Sequence, residues 1–218
     1  MRKVKFVNEE YYHIYNRGVD KRTIFQDLND IDRFFQGMQE FNVIESIGSI
    51  YVNTFRKNKL RHRVSKDEKL VDFVCYCLIP NHYHFILQQL IDKGIEKFMH
   101  KLGMGHAKFF NSKYKRSGAL FQGKFKAIHV DSNEYLLHLS AYVNLNYKVH
   151  NWEQKFGNRV PKLIRSSWEE YIGENKENFC KKDIILDQFG SGLDYKKFAE
   201  DSLESIKENK EIKKFLLE

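Results

Sequence analysis

Leu70-Val71-Asp72-Phe73-Val74-Cys75-Tyr76-Cys77-Leu78 and His82-Tyr83-His84-Phe85-Ile86-Leu87-Gln88-Gln89 are two extended apolar runs joined by Ile79-Pro80-Asn81. Branched and aromatic residues on either side of a short turn containing Pro and Asn read as a β-hairpin. Side chains at i and i+2 of a strand leave the same face, so His82 and His84 on the second strand point to one side of the sheet. Both imidazoles can therefore face one ion.

Upstream, Glu10 to Arg17 is rich in Tyr and Ile and stops at Gly18, which predicts a first strand and a turn. From Asp27 to Phe41, Leu28, Ile31, Phe34, Phe35, Met38 and Phe41 recur at helical spacing, with Asp27 or Asn29 as N-cap. Ile47 to Phe55 is expected to be a strand, followed by an exposed basic loop around Arg61. Downstream of the hairpin, Gly94 to Lys115 repeats Ile95, Phe98, Met99, Leu102, Phe109 and Phe110 as a helix that Gly103 and Gly105 weaken. Lys124 to Val130 reads as a strand. Asp131 or Ser132 then caps a helix whose apolar stripe is Tyr135, Leu136, Leu139, Val143 and Leu145. This order of elements predicts an α+β fold, a ferredoxin-like antiparallel sheet with helices on one face. The pattern weakens beyond Asn151 until a charged, amphipathic stretch, Tyr195 to Leu217. The expected division is a main domain over 1–150 and a C-terminal extension over 151–218, helical in 195–217.

Hydrophobic residues make up 42% of the 218 positions and aromatics 15%, enough for a folded interior and too many for a disordered chain. Three cysteines make no disulfide framework, and Met1-Arg2-Lys3-Val4-Lys5 carries no secretory or mitochondrial signature. No apolar run approaches the roughly 18 residues of a membrane span. The expectation is a soluble, cytoplasmic protein with no membrane partner.

The net charge of +8 is unevenly placed. Between Lys97 and Val130 there are eight basic residues and no Asp or Glu, and Arg56 to Lys66 is a second acid-free basic run. Such segregation suits a polyanion, because each phosphate neutralised releases condensed counterions. Lys108, Lys113, Lys115, Arg116, Lys124 and Lys126, with Arg61 and Arg63, are the candidate DNA contacts. In the last helix of the main domain, Tyr142-Val143-Asn144-Leu145-Asn146 spaces a phenol and an amide at i, i+4, on one helical face. Set against the histidine pair, that face assembles a metal site beside a tyrosine nucleophile. Two neutral imidazoles and the Asn146 amide oxygen suit Mg²⁺ or Mn²⁺, the imidazoles leaning toward Mn²⁺. A cation there relieves the charge repulsion that protects a phosphodiester. Tyrosine, with a pKa of about 10, needs help to attack.

Tyr12-His13-Ile14-Tyr15-Asn16-Arg17-Gly18, Cys77-Leu78-Ile79-Pro80-Asn81-His82-Tyr83-His84, Leu120-Phe121-Gln122-Gly123-Lys124-Phe125-Lys126 and Tyr142-Val143-Asn144-Leu145-Asn146 resemble, in order, the signatures of the IS200-like, single-tyrosine HUH transposases. The resemblance is to the REP-associated tyrosine transposase branch, and Ser166-Ser167-Trp168-Glu169-Glu170-Tyr171 resembles the segment that often follows there. It implies a ferredoxin-like domain over 1–150, often a homodimer, that cleaves and rejoins single-stranded DNA near imperfect hairpins. The implied intermediate is a 5′-phosphotyrosine with a free 3′-hydroxyl. Carried over by position, His82 and His84 match the metal-binding pair, Tyr142 the nucleophile and Asn146 the helical metal ligand. This chain departs from the family's Tyr-Ile-His-x-Asn-Pro pattern, with Asn144 for the His and Tyr147 for the Pro.

Two other readings stand beside this one. Cys75 and Cys77 are also related by i, i+2, so with His82 and His84 they outline a structural zinc site on the hairpin. A non-catalytic DNA or RNA binder would instead present Tyr12, Tyr15 and Phe85 for base stacking.

Overall fold

The computed structural model describes residues 4–45, 47–50, 69–149, 163–174 and 178–208. Six elements follow one another as β-α-β-β-α-β: β1 (Tyr11–Arg17), α1 (Leu28–Glu40), β2 (Val71–Ile79), β3 (His82–Gln89), α2 (Gly94–Lys113) and β4 (Lys126–Val130). The strands lie in the order β4-β1-β3-β2, all antiparallel, and β5 (Arg165–Ser166) extends the sheet beyond β2. That is the ferredoxin-like layout. Each helix starts and packs for an identifiable reason. Asp27 caps α1 by accepting from the Asp30 amide at 3.0 Å. Gly105 does not break α2. A Cβ there would meet the Phe41 ring at 2.6 Å, so the missing side chain is what lets the end of α1 pack against α2.

The hairpin occupies the centre of the sheet, which is why β2 is buried along its whole length and reads as a continuous apolar run rather than an alternating one. One face carries Tyr12, Ile14, Leu78, Tyr83, Phe85 and Leu87 against Phe34, Phe98, Leu102 and Phe110 of α1 and α2. The two helices of the ferredoxin-like core thus share one face. The opposite face, with Cys75, Cys77, Ile79, Ile86 and Val130, is covered by a third helix, α3 (Asn133–Asn144), and by C-terminal elements. These are α4 (Asn146–Val149), α5 (Trp168–Tyr171), α6 (Asp183–Leu186) and α7 (Gly192–Glu208). Among the described residues no helix is long and apolar enough to cross a membrane.

Three expectations meet a different structure or none. Residues 47–49, the described start of the strand expected over Ile47–Phe55, form no strand, and 51–55 lie outside the described residues, as does the basic run with Arg61 and Arg63. α3 stops at Asn144, and Leu145 intervenes before α4 begins at Asn146, so Tyr142 and Asn146 do not share one unbroken helix. The last helix starts at Gly192, where Ser191 accepts from the Asp194 amide, rather than at Tyr195.

Asn144 ties the helix α3 into the fold. It is fully buried, its Nδ2 donates to the Tyr195 hydroxyl of α7 at 2.9 Å, and its Oδ1 accepts from Ser167 Oγ at 2.6 Å. Ser167 Oγ in turn accepts from the Tyr76 amide of β2, and Ser140 shares a hydrogen bond with Tyr195. Asn144→Ala leaves two buried partners underused, and a loss of about 2–4 kcal/mol is expected in urea unfolding. A loss below about 0.5 kcal/mol would show that the network does not hold the helix.

Candidate active site

Strand register places the site. Tyr15 lies opposite His84 and Arg17 opposite His82 across β1 and β3, and Tyr15 lies opposite Lys126 across β1 and β4. With a period of two, His13, Tyr15, Arg17, His82, His84 and Lys126 share the face over which α3 runs. Tyr142 comes down onto it edge-on, its ring centroid 5.5 Å from that of His84 and 6.3 Å from that of His13. The two histidines of the hairpin lie with ring centroids 5.0 Å apart. Tyr142, Asn146 and His13 are fully buried, and His84 is 3% exposed.

Each imidazole is held by its Nδ1. That of His82 is 2.5 Å from Asn81 Oδ1, and that of His84 is 2.9 Å from His13 Nε2. Asn81 Oδ1 only accepts, so His82 donates Nδ1–H and keeps its lone pair on Nε2. Asn146 presents a buried amide close enough to the Tyr142 hydroxyl to act on its pKa, but among the described residues neither its Oδ1 nor its Nδ2 makes a hydrogen bond of good geometry. A buried amide in that state is costly, and a cation at Oδ1 would relieve it, so the donor set fits a divalent metal. Burial raises the Tyr142 pKa above its ordinary value, with the Asn146 amide acting in the opposite sense. The phenol is therefore protonated in this arrangement. A groove of about 700 Å³ bounded by β4, α3 and α7 is lined in part by Tyr142, Tyr135, His138 and Ser202.

His82, His84, Tyr142 and Asn146 thus lie together as a run of neighbours. Cys75 and Cys77 take part in no metal cluster: among the described residues no three His, Cys, Asp or Glu side chains converge on a common point. Burial pushes the Cys77 thiol up to about 12 and that of Cys75 well above its usual range. The hairpin zinc site is not formed, because these thiols pack into the core under α3.

Of the candidate DNA contacts, Lys108, Lys115, Lys124 and Lys126 are exposed. Lys126 Nζ lies 5.8 Å above the Tyr15 ring, which joins the basic stretch to the histidine face. Lys113 is held at 2.7 Å by both Asp27 and Asp30, so its charge is matched within the fold. Arg116 donates to Asn111 Oδ1 at 2.7 Å and covers the Phe110 ring. The sequence reading missed His13, Tyr15 and Arg17 as neighbours of the pair. Their spacing at i, i+2 and i+4 of the first strand was the available signal, and only the pairing register gives it meaning.

Fold and site together define a class, ferredoxin-like α+β proteins with a histidine pair on the sheet beneath a tyrosine-bearing helix. Residues 51–146 match the family described as transposase IS200-like, and the match ends on Asn146. Over that segment the chain is similar to the IS200-like transposases. Among solved structures, a REP-associated tyrosine transposase bound to a REP hairpin is similar with a TM-score of 0.46 and 11% identity, over 79% of this chain and 85% of that one. No curated protein matches the sequence.

Proposed function

We propose that the protein is a metal-dependent transposase that cuts and rejoins single-stranded DNA near hairpin sequences of the REP type through Tyr142. The observation that supports this most is the placement of a buried tyrosine edge-on to His84, beside the buried Asn146 amide, which makes no hydrogen bond of good geometry among the described residues. The catalytic unit is assigned to 1–150, with 151–218 as an extension whose helix α7 packs on α3.

His82 and His84 through Nε2 and Asn146 through Oδ1 would hold Mg²⁺ or Mn²⁺. Such an ion supplies charge neutralisation at the non-bridging phosphate oxygens. Tyr142 Oη attacks phosphorus as the P–O3′ bond breaks, and the proton lost by the phenol ends on the departing 3′ oxygen. The products are a 5′-phosphotyrosine and a free 3′-hydroxyl, and the reverse attack by a 3′-hydroxyl reseals the strand without ATP. Lys126, Lys124, Lys115 and Lys108 line up the phosphates, with Arg61 and Arg63 assigned the same role from sequence and Lys113 and Arg116 also engaged within the fold.

The test is incubation with labelled single-stranded hairpin DNA from the gene's own flanks in Mg²⁺ or Mn²⁺. A protein–DNA adduct that survives denaturant is expected, mapping to Tyr142, lost on chelation and reduced about 100-fold by His82→Ala. Hairpin binding with no adduct under either metal would favour the non-catalytic binder instead.

A further inference from the structure

We propose that His13 is a positioning residue for His84, holding that ring by Nδ1 and so fixing Nε2 as the atom it offers to a divalent cation. The claim rests on the metal-dependent reading above and adds a residue to it. His13 Nε2 and His84 Nδ1 are 2.9 Å apart in a site closed to solvent, so one proton lies between them. Coordination through Nε2 needs the lone pair there, which places the proton of a neutral His84 on Nδ1, donated to His13. Only a neutral His13 can accept it.

Three further observations point the same way. His82 is held by the same ring atom through Asn81, so both imidazoles of the pair are fixed at Nδ1. Tyr15 stacks on His13 at 4.9 Å and on His84 at 5.5 Å, with interplanar angles of 28° and 14°, and so resists tilting of either ring. The tautomer that serves His84 puts the other proton of His13 on Nδ1, which is buried and has no hydrogen-bond partner among the described residues. A fold that needed His13 only for packing would gain by an apolar residue there. An unsatisfied group of this kind is a cost that active sites characteristically retain.

The experiment measures Mn²⁺ affinity, from the free-ion resonance, for wild type, His84→Ala, His13→Leu and His13→Gln. Leucine fills the space without an acceptor, and glutamine can return an acceptor oxygen to the same place. The expected result is affinity about 10- to 100-fold weaker in His13→Leu and within about threefold of wild type in His13→Gln. Imidazole-nitrogen NMR of the wild type loaded with diamagnetic Cd²⁺ is expected to show His84 protonated at Nδ1 and bound at Nε2. Affinity lost in His84→Ala but kept in His13→Leu would overturn the role of His13 alone. Equal Mn²⁺ binding by wild type and His84→Ala would overturn the metal site, and this proposal with it. If His13→Leu does not fold, the Cd²⁺ spectrum gives the answer, and a His84 protonated at Nε2 overturns the proposal.

Discussion

Replacing Tyr142 by Phe is expected to abolish the covalent DNA adduct and to slow strand cleavage by about 10³-fold or more, with the fold intact. The substitution removes one oxygen and keeps the ring that packs against His84 and His13 on the sheet. Stability should therefore move by no more than about 1 kcal/mol, the scale of a single hydrogen bond. Hairpin affinity should stay within about threefold of wild type, because the exposed lysines proposed to meet phosphate lie elsewhere on the chain. The two readouts separate chemistry from binding. An adduct formed at the wild-type rate by Tyr142→Phe would remove Tyr142 as nucleophile. An adduct lost together with a collapsed melting transition would trace the effect to folding, and Tyr142→Trp, which also lacks the phenol, would then be compared.

Burial gives this prediction a second edge. A phenol with a raised pKa attacks poorly, and Tyr142 is buried beneath its own helix beside the groove next to α7. Under the proposed reaction its activation would come from substrate and cation together, since the groups that act most on its pKa are Asn146, Cys77, Tyr15 and Tyr135, none of them a carboxylate. The environment thus keeps the phenol protonated, and under the proposed reaction this would hold it inert until DNA binds.

The hairpin was legible because two apolar runs around a Pro-Asn turn leave little choice of structure, and β1, α1, α2 and β4 followed from period and capping alone. What the sequence concealed depends on long-range partners. Lys113 reads as a free cation in an acid-free segment, but Asp27 and Asp30 reach it from more than eighty residues upstream. His13 reads as one histidine in a strand until β1 pairs with β3 and brings it against His84. Asn144 stands where the resembled family pattern has His, and no local signal announces that Ser167 and Tyr195 hydrogen-bond it. The break at Leu145 is equally hidden, because Val143 and Leu145 continue the apolar content while the backbone leaves the helix. Local chemistry therefore located the catalytic candidates, whereas their supports needed the fold.

Lowering the pH from 6.5 toward 4 is expected to destabilise the metal-free protein by up to about 2.7 kcal/mol per pH unit, through His13 and His106. Burial lowers the His13 pKa to about 3. Burial also lowers that of His106 to about 4, with the Ile24 carbonyl and Asp30 partly opposing it and Arg33 and Lys113 adding to it. In the unfolded chain both titrate near 6.5. Between those values the unfolded state binds two protons that the folded state refuses, so stability is fully present above about 6.5 and falls as the pH falls. Each proton contributes about 1.36 kcal/mol per pH unit, which sets the slope. His106 gives the clearer case: its Nε2 is 2.9 Å from the Ile24 carbonyl, its Nδ1 has no hydrogen-bond partner among the described residues, and Phe25, Phe34 and Phe110 surround the ring. A second proton there would have nowhere to donate. Carboxylates such as Asp27, whose pKa is lowered, add their loss only below about 4, outside this window. Urea unfolding midpoints at pH 7.0, 5.5 and 4.5 in the presence of chelator measure the effect. His13→Gln and His106→Gln should each remove about half of the slope, because glutamine does not titrate. A midpoint that stays flat from pH 6.5 to 4.5, or a slope unchanged by both substitutions, would mean that the buried rings accept protons without leaving the folded state.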